Sequence, residues 1–204
     1  MPAIEKVSIP GPAGKLEVVV HIPDVALRAI AVIAHPLPTM GGTMENKIVT
    51  TLAKTFAELG FAALRFNFRG VGTSTGEFDD GNGEIEDALT VARYALSEYG
   101  DLPLILSGFS FGGYVQARAA QQLSPRQLVL IAPAVMRYAM PSVPHNTLLV
   151  HGELDEVVSM ADVMQWARPQ LLPIVVLPGA VHFFHGRLDQ LKEIVRHNFL
   201  GQAL

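Results

Sequence analysis

The apolar and polar positions of the chain alternate between two periods. Residues 7–22 run as an alternating strand, a GPAG turn and a second strand, LEVVVHI, which predicts an antiparallel hairpin. RAIAVIAH (28–35) is a continuous apolar run, the pattern of a strand buried on both faces of a parallel sheet. MENKIVTTLAKTFAELG (44–60) then has helical spacing, with Thr43 as N-cap and Gly60 as stop. FAALRFNF (61–68) reads as a strand, and a Gly-rich polar loop follows over 69–83. Beyond it, helices are predicted over 84–100, 112–123, 160–170 and 186–200. Strands are predicted over 103–108, 127–133, 147–153 and 173–179. Strands alternating with helices imply a mainly parallel sheet covered on both faces. The expectation is an α/β chain, one domain over 1–204, with an eight-stranded sheet flanked by helices and the hairpin at one edge.

Composition narrows the function. The 204 residues are 50% hydrophobic and 17% charged, enough to bury a sizeable core. Net charge is -4 with acids and bases interspersed, so there is no basic stripe and no nucleic-acid partner is expected. No apolar run approaches the roughly 18 residues of a membrane span. The start, MPAIEKVSIPG, lacks the basic stretch and apolar block of a signal peptide, which makes the cytoplasm the expected compartment. With no cysteine, disulfides, CxxC metal sites and a cysteine nucleophile are excluded. There is no HExxH and no GxGxxG after a strand, so no metal or organic cofactor is expected. A monomer or homodimer acting on a small molecule fits these features.

The strongest chemical signal is Gly108-Phe109-Ser110-Phe111-Gly112, between a predicted strand and a predicted helix. GxSxG in that context forms a nucleophile elbow, a turn so tight that the residues two before and two after the serine must be almost without side chain. Serine is a poor nucleophile on its own and needs a base oriented by a third group. The expected chain order is Ser, then Asp or Glu, then His. His151-Gly152-Glu153-Leu154-Asp155 follows one predicted strand and Gly179-Ala180-Val181-His182 another, both at the sheet edge where α/β sites gather. Asp155 competes with Glu153 and Glu156. It is preferred for its place a short loop beyond the strand, before the apolar pair Val157-Val158. His182 competes with His185, which lies nearer the closing helix and would cap or line the site. His35 and His151 end strands and read as structural.

Acyl transfer also needs donors for the developing oxyanion. Phe111, after the serine, supplies one backbone N–H. The loop His35-Pro36-Leu37-Pro38-Thr39-Met40-Gly41-Gly42 should supply the other; its prolines have no N–H, which leaves Leu37.

HPLPTMGGTMENK (35–47), RFNFRGVGTSTGEFDDG (65–81), GFSFGG (108–113), HGELDEVV (151–158) and PGAVHFFHGRLD (178–189) together resemble the α/β-hydrolase superfamily nearly end to end. The chain is most similar to a branch of small, lidless bacterial serine hydrolases or carboxylesterases. It is also similar to dienelactone hydrolases, which use cysteine where this chain has Ser110. The resemblance implies a triad of Ser110, Asp155 and His182, with Leu37 and Phe111 as oxyanion donors. It implies cleavage of small carboxylic esters; thioesters, amides or peptides, or a silent binding role on the same fold, are the alternatives.

Related enzymes often insert a helical cap after the strand at 127–133. Here only the thirteen residues 134–146 fill that gap. The site should be open, covered by this loop and by the 69–83 loop. Met136 and Tyr138, with Met140, are candidates for an apolar substrate wall or for packing on the core. Arg69 and Glu77 either contact substrate or, preferably, form an ion pair within their loop.

Overall fold

The computed structural model describes residues 3–201. Its centre is a pair of strands, β3 (Ala29–Ala34) and β5 (Leu104–Phe109), buried at every position. Around them stand β1 (Ala3–Gly11), β2 (Gly14–Ile22), β4 (Phe61–Phe66), β6 (Gln127–Ile131), β7 (Leu148–Gly152) and β8 (Val175–Leu177). The eight-stranded order is β1-β2-β4-β3-β5-β6-β7-β8. The hairpin β1–β2 and the β2–β4 pair are antiparallel; every other pair is parallel. This is the α/β-hydrolase arrangement expected from the sequence, with the hairpin at the edge.

Successive side chains of a strand point to opposite faces, so a strand apolar at every position needs cover on both. Val32, Leu106 and Leu128 face one cluster with α2 (Asn82–Tyr99), α3 (Phe111–Leu123) and α4 (Met160–Ala167). Ile33, Ile105 and Val129 face the other, with α1 (Lys47–Glu58) and α5 (Leu188–Phe199). The chain leaves β3 for α1 on one face and leaves β5 for α3 on the opposite face. The crevice opens where adjacent parallel strands send their connections to opposite sides, at the carboxyl ends of β3 and β5.

Helix α1 starts three residues later than its apolar pattern suggests. Asn46, not Thr43, is the N-cap, its side chain accepting the Ile48 N–H at 2.9 Å. The cause is long-range. Met44 is held in a turn before the helix, closed by the Asn46 N–H on the Thr43 carbonyl (3.1 Å); it donates its N–H to Asn67 Oδ1 (2.9 Å) and accepts from Arg65 Nη1 at its carbonyl (3.1 Å). Between β6 and β7 there is no helix or strand, so no cap is present there. No helix among the described residues is long and apolar enough to cross a membrane.

Candidate active site

Strand β5 ends at Phe109 and α3 begins at Phe111, leaving Ser110 alone to make the turn. It does so with φ 54° and ψ -116°, in the left-handed half of backbone space that a non-glycine residue seldom occupies. Such strain costs about 1–3 kcal/mol and persists only where the surroundings enforce it. Here they do. Ser110 N–H donates to the Ile131 carbonyl (2.9 Å), and its own carbonyl accepts from Gly113 (2.9 Å). A Cβ at Gly108 would collide with the carbonyl of Gly112, and one at Gly112 with the carbonyls of Ala34 and His35.

Asp155 lies three residues past the end of β7. Its Oδ1 accepts two backbone N–H groups, Val157 at 2.9 Å and Val158 at 2.8 Å, which fixes the carboxylate plane. Its Oδ2 is thereby presented to His182 Nδ1 at 2.7 Å. His182 Nε2 is 3.1 Å from Ser110 Oγ. Burial pushes the Asp155 carboxyl up, but its hydrogen bonds from His182, Val158 and Val157 outweigh this and hold it below the ordinary carboxylate value. The His182 ring packs against Phe109 (5.0 Å) and edge-on to Phe183 (5.1 Å), which also touch each other (5.9 Å), and the residue is 2% exposed.

The competing acids have other occupations. Glu153 Oε2 accepts the Gly179 N–H (2.8 Å) and Glu156 Oε2 the His182 N–H (3.3 Å), so both brace the loop that carries His182. His185 is exposed and does not line the cavity, contrary to the expectation that it caps or lines the site. His151 is fully buried behind Asp155, its Nε2 2.9 Å from the Val158 carbonyl and 3.5 Å from Asp155 Oδ2.

Ser110 and His182 open on a cavity of about 370 Å³. Leu37, Phe111, Met136 and Tyr138 line it. Among the described residues, neither the Leu37 nor the Phe111 N–H meets a protein acceptor. Tyr138 is stacked on Tyr114 (4.7 Å) and tilted against Phe111 (5.2 Å), so it is wall and core at once. Met140 packs on the core and stays out of the cavity.

A match to the family described as serine aminopeptidase, S33, covers residues 27–146. A solved α/β serine hydrolase homologue from Coxiella burnetii is 41% identical, covering 96% of this chain and 97% of its own, with a TM-score of 0.87. An α/β serine hydrolase without lid from Xanthomonas campestris is 39% identical over 96% of this chain and 93% of its own, TM-score 0.90. The chain belongs to the α/β-hydrolase superfamily. An uncharacterized protein of Rickettsia prowazekii is 27% identical over 209 residues, 91% of this chain and 84% of the relative.

Two parts of the chain depart from the sequence reading. The 69–83 loop does not reach the cavity. It is fastened to the hairpin instead, with Thr75 Oγ1 donating to the Ala13 carbonyl (2.8 Å) and Thr73 N–H to Glu17 Oε2 (2.9 Å). Arg69 pairs with Asp87 on α2 (2.8 Å), and Glu77 is exposed, so no ion pair forms within the loop. The wall that sequence reasoning missed includes Asn46, Arg137, Val157, Asp162 and Phe183. Val157 and Phe183 adjoin the triad candidates in sequence, and that adjacency was the available signal. Asn46 and Asp162 sit at helix starts, where capping is the commoner reading.

Proposed function

We propose that this hydrolase cleaves small carboxylic esters through an acyl-enzyme, with Ser110 as nucleophile, His182 as general base and Asp155 holding the histidine. The observation that carries the reading is the unbroken line Asp155 Oδ2–His182 Nδ1 (2.7 Å) and His182 Nε2–Ser110 Oγ (3.1 Å), opening on a cavity. Ser110 Oγ attacks the ester carbonyl as its proton passes to His182 Nε2. The ionised Asp155 stabilises the imidazolium that results. The carbonyl oxygen, now an oxyanion, takes hydrogen bonds from the Phe111 and Leu37 N–H groups. Collapse expels the alcohol, which receives the proton from His182. A water activated by the same histidine then releases the acid.

The test is Ser110→Ala. Turnover of p-nitrophenyl acetate should fall on the order of a million-fold, as when a triad serine is removed elsewhere. A fluorophosphonate probe should label the native chain and not the variant. Activity near the native level in the pure variant would overturn the mechanism.

The aminopeptidase activity in the family's description is a second reading. Asp162 favours it, being the only carboxylate residue among those lining the cavity and able to meet a substrate ammonium. Its Oδ2 already accepts the Ser159 hydroxyl (2.7 Å), which weighs toward a helix-capping role and the ester reading. Faster release of p-nitroaniline from alanine p-nitroanilide than of p-nitrophenol from the acetate would reverse that order.

A further inference from the structure

His35 directly follows β3 and is completely buried at the start of the loop that carries Leu37, and the reaction as described gives it no task. Its ring makes two hydrogen bonds. The Phe68 backbone N–H can only donate, so His35 Nε2, 3.2 Å away, is the accepting nitrogen. The proton of the neutral ring is therefore on Nδ1, which donates to the Pro36 carbonyl at 2.6 Å. The Phe68 ring lies 4.6 Å from that of His35 and closes off rotation.

The Pro36 carbonyl and the Leu37 N–H belong to one peptide group. That group is planar and trans, so its C=O and N–H point in opposite directions. Holding the carbonyl from the core side aims the N–H the other way, toward the cavity that Pro36 and Leu37 line. The rest of the loop closes around this plane. Gly42 packs so tightly on the Pro36 carbonyl that a Cβ there would overlap it. The Leu37 carbonyl is held by the N–H groups of Met40 (3.1 Å) and Gly42 (3.0 Å). A carbonyl that accepts a hydrogen bond also polarises its peptide and strengthens the N–H as a donor.

We propose that His35 is a positioning residue for the oxyanion pocket: its Nδ1–H clamps the Pro36 carbonyl and thereby orients the Leu37 N–H toward the developing oxyanion. The proposal rests on the ester-hydrolase reading above. It adds that the pocket depends on a side chain which never meets the substrate. Its signature is selective. The clamp matters where negative charge develops on the oxygen and little for the ground-state ester.

Three variants separate the two hydrogen bonds. His35→Asn keeps an N–H donor where Nδ1 stands. His35→Gln keeps an acceptor nearer Nε2 and loses that donor. His35→Phe loses both and keeps a ring. Each is measured for kcat and KM on p-nitrophenyl acetate. Each is also measured for binding of a trifluoromethyl ketone, whose carbonyl accepts the serine oxygen and leaves an oxyanion in the pocket while the serine proton moves to His182. Losing an oxyanion donor costs about 100- to 1,000-fold in kcat, so a donor present but misaimed should cost roughly 10- to 100-fold. That loss is expected for His35→Gln and His35→Phe, with KM within about threefold of native and ketone binding weakened in parallel. His35→Asn should stay within about fivefold of native kcat. Should the Phe variant fail to fold by thermal melt, the Asn and Gln pair decides. An Asn variant no better than Gln, or losses that fall on KM with ketone binding intact, would overturn the clamp while Ser110→Ala still abolished native activity. A native chain that neither turns over the ester nor binds the ketone overturns the ester reading and the clamp with it.

Discussion

Histidine is used in this molecule in opposite ways. His182 is placed between a carboxylate and a hydroxyl, where it can carry a proton. His21 and His35 are buried where a proton is unwelcome. Burial, and for His21 the neighbouring Arg65 charge, pushes each down to about 4. His21 Nε2 accepts the Arg65 Nε hydrogen (3.0 Å), just as His35 Nε2 accepts from Phe68, so protonation would set donor against donor in both. The unfolded chain takes up these protons near pH 6.5, whereas the folded chain waits until about 4. Between those values the unfolded state binds more protons, so stability is full above 6.5 and falls as pH drops. The slope for each histidine is at most ~1.4 kcal/mol per pH unit. His151, lowered by burial as well, adds in the same direction. Thermal melts between pH 7 and 4.5 should show a falling Tm. His21→Gln and His35→Asn, which do not titrate there, should flatten the slope whatever they do to Tm at pH 7. A Tm that stays level or rises toward pH 4.5 would show that these rings carry their protons in the folded state.

At the scale of elements, what the sequence disclosed depended on how far away the partners were. The elbow was legible because its requirements are local: two glycines, a serine, a strand before and a helix after. The start of α1 was not, because Arg65 on β4 and Asn67 just past its end hold Met44 out of the helix. The 69–83 loop misled for the same reason. Its fastenings to the hairpin, such as the Lys15 N–H on Thr75 Oγ1 at 2.7 Å, join residues separated by 60 positions. Arg69 looked for an acid inside its own loop and found Asp87 on the face of α2. That pair is tight and largely dry. Asp87 accepts from Arg69 Nη2 (2.8 Å), from Nε (3.1 Å) and from the backbone N–H (2.9 Å), and its side chain is 0% exposed. Removing one partner of a buried pair leaves the other charge unmatched, at a cost of about 3–5 kcal/mol. For a chain of this length that lowers Tm by roughly 6–20 °C. Asp87→Ala should show that loss in a melt. The folded fraction should keep kcat within twofold, since Arg69 does not line the cavity. A large fall in kcat with Tm unchanged would mean that Arg69 reaches the substrate after all.

For the whole molecule, the missing insertion between β6 and β7 matters as much as any residue present. The absence of a cap leaves the cavity to be walled by the segments that follow five strands: Leu37 after β3, Phe111 after β5, Met136 and Tyr138 after β6, Val157 after β7 and Phe183 after β8. At about 370 Å³ the cavity is at the small end of ligand pockets, which run roughly 300–1,000 Å³. The apolar part of its rim is wet: Met40 is 80% exposed, Met136 and Val157 60%, and Phe183 42%, and Asn46, Arg137 and Asp162 stand beside them. Burying a CH₂ is worth about 0.8 kcal/mol only where protein replaces water around it. The first few carbons of an acyl chain find such surroundings inside the cavity. Later ones would lie along side chains that are themselves half in solvent. Under the ester reading, kcat/KM for p-nitrophenyl esters should therefore peak at about two to six carbons and then level or fall. With no lid to open, the rate should not jump as substrate passes its micelle concentration. Measuring kcat/KM from two to sixteen carbons tests both statements. A maximum at twelve or beyond would require a deep apolar channel continuing past buried lining residues such as Val158 and Ala134.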